Sequence, residues 1–203
     1  MNYLAHILLA GDSGGLQVGG VLGDFVKGPL RGRLPLAVEQ GIWLHRQLDA
    51  WSNQQPGFRQ AQARLGEQHR RIAGVLVDLV LDHFLARHWA RVHPTPLAQF
   101  TRSYYQTMAS FNECLPANAQ RWLAISSEID LLASYRHFAE LQIILSRMES
   151  RRARPLGLAA GFTGLERSYV ELAEDFEGIL PQMLAEAGRL RQQLPESFAA
   201  SAE

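Results

Sequence analysis

Residues 70–92 read RRIAGVLVDLVLDHFLARHWARV. Ile72, Val75, Leu76, Leu79, Val80, Phe84 and Leu85 recur at spacings of three and four, the period of an α-helix and not the alternation of a strand. Pro94 and Pro96 close the stretch, because proline lacks the N–H that would continue a helix and restricts the residue before it. The pattern predicts the most apolar helix of the chain, with the rest of the fold packed around it.

Working outward, helical spacing dominates the remaining sequence. Helices are predicted over 2–10, 18–27, 36–51, 58–65, 97–111, 117–129, 131–150 and 162–194, the last interrupted at Pro181. Gly11–Gly15 and Gly32–Pro35 read as loops, and Arg151–Pro155 as a basic hinge. No β pattern, repeat or low-complexity segment appears. The expected architecture is all-α: one helical bundle domain spanning 1–203, with a frayed tail over 195–203.

Hydrophobic residues make up 47% of the 203 residues, enough for a sizeable core, and formal net charge is zero. A whole-molecule field for nucleic acid or an anionic membrane is not indicated. Residues 1–10 are apolar but short, carry His6, and lack a basic leader; they read as a buried first helix, not a signal or a span. Cys114 is the only cysteine, which suits a reducing cytoplasm and a structural role near a helix end. Lys27 is the only lysine, so arginine supplies nearly all positive charge.

The unusual polar residues lie inside apolar stretches, where a charge must be paired or bind something. Asp78 and Asp82 are four apart on the 70–92 helix, so they share a face, with His83 adjacent. Two carboxylates on one face repel unless a cation lies between them. A divalent metal answers that need; pairing with Arg46 or Arg87 is the other reading. His45 and Asp49 repeat the i, i+4 spacing on the 36–51 helix, either as donors to a metal or as a helix-surface ion pair. Asp24 and His6 sit among apolar neighbours, as metal-competent groups or as a solvent-facing acid and a hydrogen-bonded core histidine. Ligands projecting inward from several helices are how bundles build metal sites. Templates for a serine-hydrolase elbow, a phosphate-binding loop and a dinucleotide site are missing.

Five stretches carry a resemblance: Asn2-Tyr3-Leu4-Ala5-His6, Gly23-Asp24-Phe25-Val26-Lys27-Gly28, Leu44-His45-Arg46-Gln47-Leu48-Asp49, Asp82-His83-Phe84-Leu85-Ala86-Arg87-His88-Trp89 and, more weakly, Met148-Glu149-Ser150-Arg151-Arg152. In order and approximate spacing they resemble the acyl-carrier-protein phosphodiesterases, a divergent branch of the HD-domain phosphohydrolases. The resemblance implies an HD-like helical fold and a divalent metal, manganese first and magnesium second. It implies a cytoplasmic hydrolase that converts holo-acyl carrier protein to the apo form and 4′-phosphopantetheine, in fatty acid metabolism. It maps metal ligands onto His6, Asp24, His45, Asp78, Asp82 and His83, and catalytic roles onto Asp24, His45, Asp82 and His83. The usual HD order of histidine before aspartate is reversed at Asp82-His83, and Asn53 stands where the family often has an acid.

An acidic carrier should meet a locally basic surface. Lys27, Arg31, Arg33 and Arg46 are the expected substrate-binding residues, with Arg59, Arg64, Arg70 and Arg71 as further candidates. Competing readings are an HD-type phosphohydrolase acting on a nucleotide or other small phosphoester, and a non-catalytic helical protein that binds carriers.

Overall fold

The computed structural model describes residues 1–198. Eleven α-helices and no strand occur among them. The chain opens with α1 (Tyr3–Leu9), α2 (Gly14–Leu22) and α3 (Leu36–Ser52), then α4 (Pro56–Arg64) and α5 (Ala73–Arg87). The second half runs α6 (Leu97–Ser110), α7 (Ala117–Glu128), α8 (Leu131–Ser134), α9 (Phe138–Ser150), α10 (Phe162–Arg167) and α11 (Tyr169–Arg191). Single-turn 3₁₀ helices flank α5, at Glu67–His69 and Trp89–Arg91, where one longer helix over 70–92 is predicted.

Helix α5 is the centre of the core. Leu76, Val77, Leu79, Val80, Leu81, Phe84 and Leu85 are all buried, and α1, α4, α9, α10 and α11 pack against it. A helix apolar on most faces gains its stability from burial on most faces, about 1.5–3 kcal/mol for each large side chain removed from water.

Other boundaries also differ from the pattern of the sequence. Helix α2 begins four residues earlier than expected, because Ser13 accepts a capping hydrogen bond from the Leu16 N–H, and it ends at Leu22. The stretch 131–150 is two helices, because Tyr135 is buried between them and its carbonyl is taken by the His83 Nδ1–H at 2.8 Å. The last stretch breaks at Ser168, whose hydroxyl donates to the Arg64 carbonyl, and Pro181 lies inside α11 without ending it.

Helices α2 and α3 lie almost in backbone contact. A Cβ placed on Gly19 would overlap the Val38 carbonyl oxygen, and one on Gly41 would overlap that of Leu16. Only glycine permits so close an approach, and it carries the far end of α3 against the end of α2. No helix among the described residues is long and apolar enough to cross a membrane. Of the expected tail, Pro195 accepts a hydrogen bond from Gln40 Nε2, and 199–203 lie outside the described residues.

Candidate active site

The site is assembled at the start of α1. This helix lacks a side-chain cap of its own at Asn2, so its first N–H groups need outside acceptors. Asp82 of α5 supplies them: Oδ2 accepts from Leu4 N–H at 2.8 Å and Oδ1 from Ala5 N–H at 2.9 Å. The Asp82 side chain is fully buried. Burial pushes its carboxyl up to about 7, against the opposing effect of the two N–H groups.

This clamp fixes α1 so that His6 lies flat on His45 of α3, ring centroids 3.8 Å apart. The His45 Nδ1 lies 2.7 Å from the Gly20 carbonyl oxygen. A carbonyl only accepts, so Nδ1 carries the proton and Nε2 turns its lone pair outward. That lone pair faces Asp49 Oδ2 at 3.2 Å and Asp24 Oδ1 at 3.9 Å. Lone pairs and carboxylate oxygens converge there, which calls for a proton or a metal ion between them.

His6 makes the same demand more strongly. Both its ring nitrogens are buried and neither makes a hydrogen bond, although Nε2 lies 3.2 Å from Asp49 Oδ1. Burial first, and the neighbouring His45 second, hold His6 down to about 3, so the ring is neutral near pH 7. A buried, neutral, unpartnered imidazole is a ready ligand. One donor atom from each of His6, His45 and Asp49 lies within 4.8 Å of the others. The chemistry of this donor set fits a divalent transition ion, which takes imidazole and carboxylate together.

A further cation already stands beside them. The Met1 ammonium lies 3.0 Å from Asp49 Oδ1 and 3.2 Å from Asp78 Oδ1. Burial alone would lower this ammonium, but Asp78 and Asp49 outweigh burial and raise it to about 10. Burial likewise raises the Asp49 carboxyl, yet His45, His6 and the ammonium hold it well below the usual carboxylate range. Asp78 is shifted upward by burial, with the ammonium opposing.

Of the residues named from sequence, His6, Asp24, His45 and Asp78 come together. Asp82 and His83 do not join them. Both Asp82 oxygens are engaged by the α1 backbone. Both His83 nitrogens are engaged too, Nδ1 by the Tyr135 carbonyl and Nε2 by the Tyr169 hydroxyl at 2.8 Å, which also accepts from Arg87 Nη1. The 100° rotation from Asp82 to His83 turns the histidine to another side of α5. Asp49 is the residue left outside the expected ligand set. Its i, i+4 spacing from His45 was the available signal.

A cleft of about 420 Å³ lies beside this cluster, with Met1 and Asp24 between it and the His6, His45 and Asp49 side chains. Asp24, Asp78 and Met1 line one end, Trp122, Ile125 and Ile144 form apolar walls, and Arg147 and Arg151 also face it. Lys27, Arg31 and Arg33 lie on the 23–35 connection and do not line the cleft. Arg46 is spent on that connection, its Nη2 donating to the Val26 carbonyl at 2.9 Å.

Gly23 gives a direct test of this geometry. A Cβ there would overlap Cγ and Cδ2 of the His45 ring. Gly23→Ala should therefore push His45 off Asp49 and lower turnover about 100-fold, the usual cost of a misplaced reacting group. Bound metal, counted by elemental analysis, should fall in parallel. Unchanged metal content and turnover would mean that the ring position is immaterial.

The chain matches the family model for acyl carrier protein phosphodiesterase over residues 1–183. It is similar to the acyl carrier protein phosphodiesterase of Serratia proteamaculans (strain 568), with 37% identity over 191 residues, covering 92% of this chain and 97% of the relative. The protein of the same name from Salmonella agona (strain SL483) is 32% identical over 193 residues, covering 93% and 98%. No solved structure matches the chain. A family model that spans most of the sequence, with relatives aligned end to end, places it: the chain belongs to the acyl carrier protein phosphodiesterase family.

Proposed function

We propose that this protein is a metal-dependent phosphodiesterase that releases 4′-phosphopantetheine from holo-acyl carrier protein and leaves the apo carrier. The observation that carries the reading is the convergence of His6, His45 and Asp49 behind Asp24 and Met1, which line a cleft whose 420 Å³ lies within the range of about 300–1,000 Å³ typical of small-molecule sites. The relatives named for this activity support the substrate. An arm such as phosphopantetheine is long, with an anionic end and a largely uncharged body. The cleft offers both kinds of surface, charged groups at Asp24, Asp78, Arg147 and Arg151 and apolar walls at Trp122, Ile125 and Ile144.

His6, His45 and Asp49 would hold a divalent ion, manganese first and magnesium second, with Asp24 and Asp78 at its flanks. When bound, such an ion supplies positive charge to a phosphoryl oxygen and to the transition state. The residues of the chain do the rest. Asp24 is half-exposed at the cleft and is the carboxylate placed to accept a proton from water. Gly20 fixes the His45 tautomer through its carbonyl, and Asp82 fixes the position of His6 by holding α1. Hydrolysis puts the water oxygen on phosphorus, breaks the bond from phosphorus to the carrier serine oxygen, and returns a proton to that oxygen.

Intact-mass spectrometry of holo-carrier incubated with the protein and manganese tests this. The carrier should lose the mass of its phosphopantetheine. An unchanged holo mass, with turnover of bis-nitrophenyl phosphate, would instead favour a phosphohydrolase of small esters. No turnover of either would leave a carrier-binding protein.

A further inference from the structure

The cleft has a second set of charges that the metal cluster does not use. The arginine ion pairs among the described residues involve Arg64, Arg70, Arg91 and Arg189. Arg147 and Arg151 are exposed, face the cleft, and have no acidic partner among those residues. A free surface arginine is ordinarily just solvated, so two further observations matter.

The first is position. Tyr3, wedged against Trp122 with ring centroids 4.8 Å apart, lines the cleft beside Asp24. Burial raises the Tyr3 hydroxyl, Asp24 adds to the rise, and Arg151 opposes it. Tyr3, Asp24, Asp78 and Arg151 line the same cleft, so Arg151 shares its walls with the acidic groups beside the cluster. The second is fixation. Arg151 begins the connection that follows α9, and Glu149 of α9 folds that connection back. Its carboxylate accepts from the backbone N–H groups of Leu156, Leu158 and Ala159. The Leu156 and Leu158 N–H groups also hold Glu149 below its usual range, so the clasp is ionic near neutral pH. An arginine at the root of a clasped loop loses less freedom on binding than one on a free tail.

We propose that Arg151, with Arg147 beside it, is the anion-binding wall of the cleft. It pairs with the phosphoryl oxygens of a diester held in the cleft, and Glu149 is its positioning residue. The inference rests on the phosphodiesterase reading above. The planar guanidinium suits the role because its paired N–H groups match two phosphoryl oxygens, as an ammonium cannot.

The experiment compares wild type, Arg151→Ala, Arg151→Lys, Glu149→Gln and the Arg151→Ala/Glu149→Gln double variant. It measures release of 4′-phosphopantetheine from holo-carrier, turnover of bis-nitrophenyl phosphate, inhibition by inorganic phosphate, bound manganese and melting temperature. Arg151→Ala should lower kcat/KM on both substrates about 50-fold, the scale of charged hydrogen bonds lost. Phosphate inhibition should weaken by about tenfold, with metal content and melting temperature unchanged. Arg151→Lys should recover only part of the loss. Glu149→Gln should raise KM more than it lowers kcat, and should add little in the Arg151→Ala background, since it acts through that arginine. Arg151→Ala within twofold of wild type on both substrates, or unaltered phosphate inhibition, overturns the assignment. Additive losses in the double variant overturn the part given to Glu149. If wild type leaves holo-carrier intact but Arg151→Ala still weakens turnover of the small diester, the carrier reading fails and the anion wall stands.

Discussion

Replacing Asp49 by asparagine should lower phosphopantetheine release by about 10³-fold, the scale of a lost metal contribution of several kcal/mol. Asp49 links the other parts of the cluster. Oδ1 faces His6 Nε2 and the Met1 ammonium, and Oδ2 faces His45 Nε2. Asparagine keeps the volume and removes the charge, so it isolates electrostatics from packing. Two stacked imidazoles without a carboxylate form a poorer site for a hard or borderline cation. Metal content should therefore fall with activity, and Asp49→Ala should be little worse than Asp49→Asn. An asparagine variant with wild-type manganese and wild-type turnover would remove Asp49 from the centre.

Much of this arrangement is legible in the amino-acid sequence. The i, i+4 spacing of His45 and Asp49 puts both on one face of a helix whose apolar pattern is clear, and the structure keeps both at one site. His6 and Asp24 stand out as polar residues in apolar stretches, and both reach the cluster. The limit of the sequence shows at α5. Asp78 and Asp82 share a face, and the pattern cannot say what lies against each turn of it. Asp78 meets the Met1 ammonium, whereas Asp82 meets the open end of another helix. The Met1 ammonium eases the charge on Asp78, and the α1 N–H groups that on Asp82. Helix ends carry orphaned N–H groups, and which side chain answers them depends on long-range packing.

The same limit explains the basic residues. Lys27, Arg31 and Arg33 form an attractive cluster in sequence, close to Asp24. The Glu39 carboxylate gathers the backbone N–H groups of Gly32, Arg33 and Leu34, which shapes that connection and leaves Lys27, Arg31 and Arg33 exposed outside the cleft. Arg147 and Arg151, more than a hundred positions from Asp24, reach the cleft because α9 packs on α5. Distance along the chain conceals such partners, and the interruption at Tyr135–His137 that sets the start of α9 leaves no trace in the apolar period.

Asp82→Ala should separate the structural part of α5 from its chemical part. Each Asp82 oxygen satisfies one buried N–H of α1, and alanine leaves both without an acceptor. Two orphaned donors at about 1–3 kcal/mol each predict a stability loss of about 3–5 kcal/mol, read as a lower midpoint in urea. Below the unfolding transition the folded fraction should still bind metal through His6, His45 and Asp49, though more weakly as α1 loosens. A metal-free but fully stable variant would reverse the picture and make Asp82 a ligand. The pH dependence gives a second, independent check. Asp82 is raised to about 7 in the fold, while an unfolded aspartate titrates near 4. Between those values the native chain holds a proton that the unfolded chain has released, so the Asp82 contribution is full below about 4 and declines as pH rises towards 7. The stability gap between wild type and Asp82→Ala should therefore narrow from pH 5 to pH 8. His6 is shifted the opposite way and favours the fold as pH rises. A gap that widens with pH would mean that the carboxylate is held ionised, as it would be beside a bound cation.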